Sequence, residues 1–170
     1  MNVYTIGHSN RTSKEFIELL KRNGVESLVD IRLIPKSRAN PHFGQGRLKR
    51  SLAKAGIEYT HEPRMGGRRR AAKDSINTGW RNASFRGYAD YMATPEFKDA
   101  LKELLEHARA GTTAIMCAEA VPWRCHRTLV ADALKSKRCR VFHIIGGSTP
   151  SEHKYTPFLK MERGALTYPP

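Results

Sequence analysis

Cysteine is scarce, acidic side chains are outnumbered, and no apolar run is long enough to cross a bilayer. Three cysteines in 170 residues, none in a CxxC pair, exclude a disulfide-stapled scaffold and fit a reducing compartment. Apolar runs this short exclude a membrane-spanning helix. The chain opens almost directly on a strand pattern with no secretory leader ahead of it, so a cytoplasmic protein without membrane contact is expected. Solenoids and coiled coils are excluded by the lack of any internal repeat, heptad or low-complexity tract. Against 16 acidic residues stand 30 Lys and Arg, a formal net charge of +14. Such an excess attracts polyanions, so nucleic acid or a nucleotide is the expected partner. Composition does not set the oligomeric state.

The length suits one domain with a real core, and its elements alternate. Val3 to Ile6 reads as a strand closed by Gly7-His8-Ser9-Asn10. Thr12 and Glu15 form a capping-box pattern that predicts a helix from about Ser13 to Asn23, stopping at Gly24. A second strand, Ser27 to Ile31, ends in Arg32 and a basic loop with Pro35, Lys36, Arg38 and Phe43. A short helix from about Gly46 to Ala55, a third strand at Ile57 to His61, a long helix opened by Thr94-Pro95, and strands at Thr112 to Met116 and Arg140 to Ile145 complete the series. Alternation of this kind predicts a single α/β domain over 1–147, with a mainly parallel sheet of about five strands and flanking helices. Residues 148–170 read as an irregular C-terminal arm anchored by Tyr155 and Phe158.

An insertion over 64–92 differs from the rest. Arg64, Arg68, Arg69 and Arg70 flank Gly66-Gly67, and Trp80, Arg81, Phe85, Arg86, Tyr88 and Tyr91 follow. Interleaved guanidiniums and aromatics neutralise phosphates and stack on bases. The competing reading makes Tyr88, Tyr91 and Met92 the buried face of a short helix, with solvated arginines.

Chemistry concentrates at Cys117-Ala118-Glu119-Ala120-Val121-Pro122-Trp123-Arg124-Cys125-His126-Arg127, between a strand's carboxyl end and a helix's amino end. In parallel sheets ligands bind at that edge. The same edge is expected to gather His8, Asp30, Arg32 and His61, with Cys117 and Glu119, in one crevice.

Three chemistries are open there. Cys125, beside Arg124, His126 and Arg127, has the surroundings of a thiolate nucleophile, although the phosphatase spacing Cys-x5-Arg is absent. Zinc is a further reading, through Cys117, Cys125, His126 and either His8 or Glu119, but adjacent Cys125 and His126 fit a tetrahedral centre poorly, so no cofactor or metal is predicted. Asp30 and Glu119, with His8 alongside, have the makings of a hydrolytic carboxylate pair acting on an N-glycosidic or phosphoester bond, with phosphate held by Arg32, Arg38, Arg68, Arg69, Arg81, Arg86, Arg127 and His126, and bases stacked on Trp80. The leading expectation is this nucleic-acid or nucleotide hydrolase. The alternatives are a non-catalytic nucleic-acid-binding module, with Asp30–Arg32 and Glu119–Arg127 as structural ion pairs, and a thiolate-dependent enzyme using Cys125.

Several segments together resemble one family: Tyr4-Thr5-Ile6-Gly7-His8-Ser9; Val29-Asp30-Ile31-Arg32 with Pro35-x-Ser37-Arg38; Gly66-Gly67-Arg68-Arg69; Trp80 to Ala89; and Cys117-x-Glu119 with Cys125-His126-Arg127. The chain is similar over nearly its whole length to the domain-of-unknown-function 488 family, for which no activity is assigned. The resemblance implies that His8, Asp30, Arg32, Cys117, Glu119, Cys125, His126 and Arg127 are motif residues. Many members carry a charged residue before the proline of the last motif; this chain has Val121, so no role carries over to that position.

Overall fold

The computed structural model describes residues 1–170. Five strands run parallel: β1 (Asn2–Gly7), β2 (Ser27–Asp30), β3 (Glu58–His61), β4 (Thr113–Cys117) and β5 (Arg140–Ile144). A sixth, β6 (Ser151–Glu152), pairs antiparallel with β5, giving the order β3-β2-β4-β1-β5-β6. The helices are α1 (Ser13–Arg22), α2 (Gln45–Lys54), α3 (Ala83–Tyr91), α4 (Pro95–Ala110) and α5 (Arg127–Ser136). No helix is long and apolar enough to cross a membrane.

Local chemistry starts the helices where the sequence signals them. At α1, Thr12 accepts from the Glu15 N–H while the Glu15 carboxylate accepts from the Thr12 N–H. Thr94 accepts from the Phe97 N–H ahead of Pro95. Asn82 caps α3 through the N–H groups of Ser84 and Phe85.

Strand order decides which face each helix covers. The steps β1 to β2 to β3 run one way along the sheet and the steps β3 to β4 to β5 run the other, so right-handed crossovers put the connecting helices on opposite faces. Phe16, Leu19, Leu20, Leu48 and Leu52 of α1 and α2 pack on Ile6, Leu28 and Met116. On the other face, Tyr88, Phe97, Leu104, Leu129 and Leu134 of α3, α4 and α5 pack on Val29, Ile115 and Cys117. Side chains alternate along each strand, so Asp30 and Cys117, at the ends of neighbouring strands, belong to opposite faces.

Within the insertion, Tyr88 and Met92 are buried against α4 and α5, and Trp80, Phe85 and Tyr91 pack on the same cluster. The buried-face reading of these aromatics holds. The C-terminal arm is more regular than its sequence suggests: besides β6 it forms a hairpin of β7 (Lys160–Glu162) and β8 (Ala165–Thr167). Strands of two or three residues are too short to show an alternating pattern. The arm's fully buried anchor is Tyr168, while Phe158 packs on Trp80 and Tyr155 lies under the Lys135 ammonium.

Candidate functional site: a thiol pair at the sheet edge

The site begins where β1 and β4 end together. Gly7 lies opposite Cys117, and the pairing continues past the sheet through His8 N–H to the Cys117 carbonyl and Ser9 N–H to the Ala118 carbonyl. A Cβ at Gly7 would stand 1.6 Å from the Glu119 carbonyl oxygen. Glycine is therefore what lets the loop after β4 cross so close to β1. That loop makes a single 3-10 turn at Pro122–Arg124, then delivers Cys125 and His126 to the start of α5.

Two buried sulfurs face each other at this turn. Cys117 is 2% exposed and Cys125 5%, both are free thiols, and their Sγ atoms are 2.6 Å apart. The first helical N–H of α5, from Arg127, points at Cys125 Sγ from 3.5 Å. His126 Nδ1 also lies 3.5 Å from that sulfur, and its Nε2 is 3.2 Å from the Ile31 carbonyl. A carbonyl only accepts, so Nε2 carries a proton, and Nδ1 is the ring nitrogen that faces the sulfur.

These neighbours separate the two acidities. Burial alone would raise the Cys125 pKa, but the Cys117 S–H donor, His126 and the Arg127 charge outweigh it and hold Cys125 well below the usual thiol range. Cys117 moves the opposite way, pushed well up by burial and by the negative charge of its neighbour. The pair is therefore biased toward Cys125 as the thiolate and Cys117 as the donor to it.

Arg127 is completely buried and meets no carboxylate. Its Nη2 donates to the Glu119 backbone carbonyl at 2.5 Å and its Nη1 to Thr5 Oγ1 at 3.5 Å. One direction of donation then satisfies every further link: Thr5 hydroxyl to His143 Nδ1 at 2.8 Å, His143 Nε2 to His153 Nδ1 at 3.0 Å, and His153 Nε2 to Asp132 Oδ1 at 2.9 Å. Thr156 and Tyr168 of the arm also donate to Asp132. The buried cation thus reaches the Asp132 carboxylate only through a chain of hydrogen bonds.

Asp30 lies on the other face and is fully engaged. Its Oδ1 accepts from the N–H and Nε of Arg32, and its Oδ2 accepts from Arg32 Nη2 at 2.6 Å and Tyr59 Oη at 2.7 Å. With no exposure at all, it orients Arg32 rather than reaching the loop after β4. His8 is on that face too, stacked on Phe43, with Nδ1 donating to the Ser9 carbonyl; burial holds its pKa down.

Above β2 and β4 a cleft of about 290 Å³ opens, lined by Cys117, Glu119, Cys125 and His126 together with Arg32, Lys36, Arg68 and Arg124. Gly67 closes its side, where a Cβ would come within 3.0 Å of His126 Nδ1. Of the residues expected from sequence, Arg32, Arg68, Cys117, Glu119, Cys125 and His126 meet in this cleft, and Asp30, His8, Arg38, Arg69, Trp80, Arg81, Arg86 and Arg127 are not part of its wall. Arg69 lies over the Tyr91 ring and Arg86 donates to the Trp80 carbonyl, so both staple the insertion. Arg38 and Arg81 are exposed. The wall also includes Arg124 of the same loop, Phe85 and Tyr88 of the insertion, and Lys36 and Ser84, to which the sequence reading gave no role.

No group of three or more His, Cys, Asp or Glu is arranged to hold a metal ion.

An open, mainly parallel sheet with a thiol pair at its carboxyl edge defines the class: a single α/β domain with a candidate thiolate centre between the β2 and β4 loops. The family model described as Domain of unknown function DUF488 matches residues 12–134, and the chain belongs to that family. No curated protein and no solved structure matches it.

Proposed function

We propose that the protein is a thiol-dependent phosphoesterase acting on a nucleotide or on a phosphate carried by nucleic acid, with Cys125 as nucleophile. The observation that carries this reading is the convergence of the Cys117 sulfur, His126 Nδ1 and the Arg127 N–H on Cys125 Sγ, in the wall of a cleft that Lys36, Arg68, Arg124 and Glu119 also line. His126 takes the thiol proton; the thiolate attacks phosphorus, and the P–O bond to the leaving oxygen breaks. His126 returns that proton to the leaving oxygen, and Glu119, exposed and unpaired in the same cleft, takes one from the water that cleaves the S–P bond and restores the thiolate. Lys36, Arg68 and Arg124 offset the phosphate charge. A two-carboxylate attack on an N-glycosidic bond has less support, because the Asp30 carboxylate has its hydrogen-bonding positions filled and faces away.

The test is phosphate release by the full chain from nucleoside monophosphates and from single- and double-stranded DNA and RNA with terminal phosphates. Wild type is expected to turn over at least one substrate, Cys125→Ser none, and Glu119→Gln more slowly by about 10²-fold or more, the usual contribution of a general base. Equal turnover by Cys125→Ser, or none by wild type across the panel, would overturn the proposal.

A further inference from the structure

Phosphoester cleavage needs one nucleophilic sulfur, and the cleft holds two in contact. We infer that Cys117 and Cys125 are a peroxide-sensitive modification site: a hydroperoxide oxidises Cys125, Cys117 resolves the product into an intrachain disulfide, and the site is switched off until a dithiol reduces it. The inference rests on the reading of Cys125 as the reactive thiolate and adds a regulation to it.

Geometry is the main support. The sulfurs, eight residues apart in sequence, are in direct contact, so a disulfide between them needs no rearrangement of β4 or α5. Both line the cleft, where a small peroxide can enter. Cys117 has no other close partner, the Glu119 carbonyl being 3.9 Å away, so it is free to turn to its neighbour. Cys139, just ahead of β5 at the opposite edge of the sheet, does not line the cleft and has no part. The acidities agree with the roles, Cys125 attacking as thiolate and Cys117 waiting as thiol.

The steps balance. The Cys125 thiolate attacks the terminal oxygen of the hydroperoxide; the O–O bond breaks, the alcohol leaves with the proton held by His126, and Cys125 becomes a sulfenic acid. Cys117 sulfur then attacks Cys125 sulfur, the S–O bond breaks, and the Cys117 proton leaves with the hydroxyl as water. Two thiols and one hydroperoxide give one disulfide, one alcohol and one water. An external dithiol returns both hydrogens and is itself oxidised. In the disulfide Cys125 has neither charge nor nucleophilicity.

The full chain is treated with hydrogen peroxide, blocked with iodoacetamide, and mapped by peptide mass spectrometry before and after dithiothreitol. The expected product has lost two hydrogens and carries a Cys117–Cys125 cross-link that dithiothreitol removes, while Cys139 remains a thiol. Cys117→Ser, given the same peroxide, is expected to gain oxygen at Cys125 and to pass on to the sulfinic acid, which dithiothreitol does not reverse. Wild type that retains both thiols, or that forms a sulfinic acid at Cys125 with Cys117 free, would overturn the inference. A cross-link alongside full phosphoesterase activity in Cys125→Ser would instead overturn the proposed function alone.

Discussion

The Arg127 guanidinium donates to the Glu119 backbone carbonyl at 2.5 Å, so the side chain that begins α5 holds the loop that carries the cleft's free carboxylate. Arg127→Ala removes this tie, leaves a cavity and takes a positive charge away from Cys125. Stability is expected to fall by about 3 kcal/mol, measured by urea unfolding. The pH midpoint for alkylation of Cys125 should rise as well, and Arg127→Lys should recover part of that shift because the charge remains.

Gly7→Ala tests the crossing of β1 and the loop after β4. The added methyl would stand 1.6 Å from the Glu119 carbonyl oxygen, and that contact is with backbone, which cannot swing aside. A loss of at least about 3 kcal/mol is expected, with thermal unfolding as the readout.

Asp30 and Glu119 should separate cleanly. Asp30→Asn leaves the buried Arg32 without its counter-charge and is expected to cost about 3–5 kcal/mol. Glu119→Gln, at an exposed position, should stay within about 0.5 kcal/mol of wild type while slowing turnover. Urea unfolding of both variants beside the phosphate-release assay checks the pair.

Much of this was legible in the sequence because it is local. Thr12 with Glu15, and Thr94 with Pro95, announce helix starts within one turn, and strand-to-helix alternation alone collects His8, Asp30, Arg32, Cys117 and Glu119 at one edge. What the sequence did not reveal is non-local. The strand order makes β2 and β4 neighbours, and the pleat then sends Asp30 to one face and Cys117 to the other, so the single crevice expected from sequence divides in two. Tyr59 donating to Asp30, Arg86 to the Trp80 carbonyl, and Tyr168 to Asp132 are contacts set by packing. No spacing along the chain distinguishes these buried partners from ligands of phosphate or bases.

The histidine chain predicts a pH effect of definite sign. Burial first, then His153 and Arg127, lower His143 from 6.5 to about 4. The unfolded chain therefore binds a proton that the folded chain resists, so stability is complete above pH 6.5 and falls between pH 6.5 and 4. The loss attributable to this group is about 3–4 kcal/mol at most, at 1.36 kcal/mol per pH unit. His8, also lowered by burial, acts in the same direction. Urea unfolding across this range should show the slope, and His143→Gln should reduce it.

The central claim is that Cys125 is a thiolate while Cys117, 2.6 Å away, is not. The most direct measurement is the pH dependence of iodoacetamide labelling of the reduced full chain, with each cysteine followed by peptide mass spectrometry. The account predicts that Cys125 labels first, with a midpoint well below the usual thiol value, and that Cys117 lags until far higher pH. Labelling of Cys117 ahead of Cys125, or an ordinary midpoint at Cys125, would contradict it.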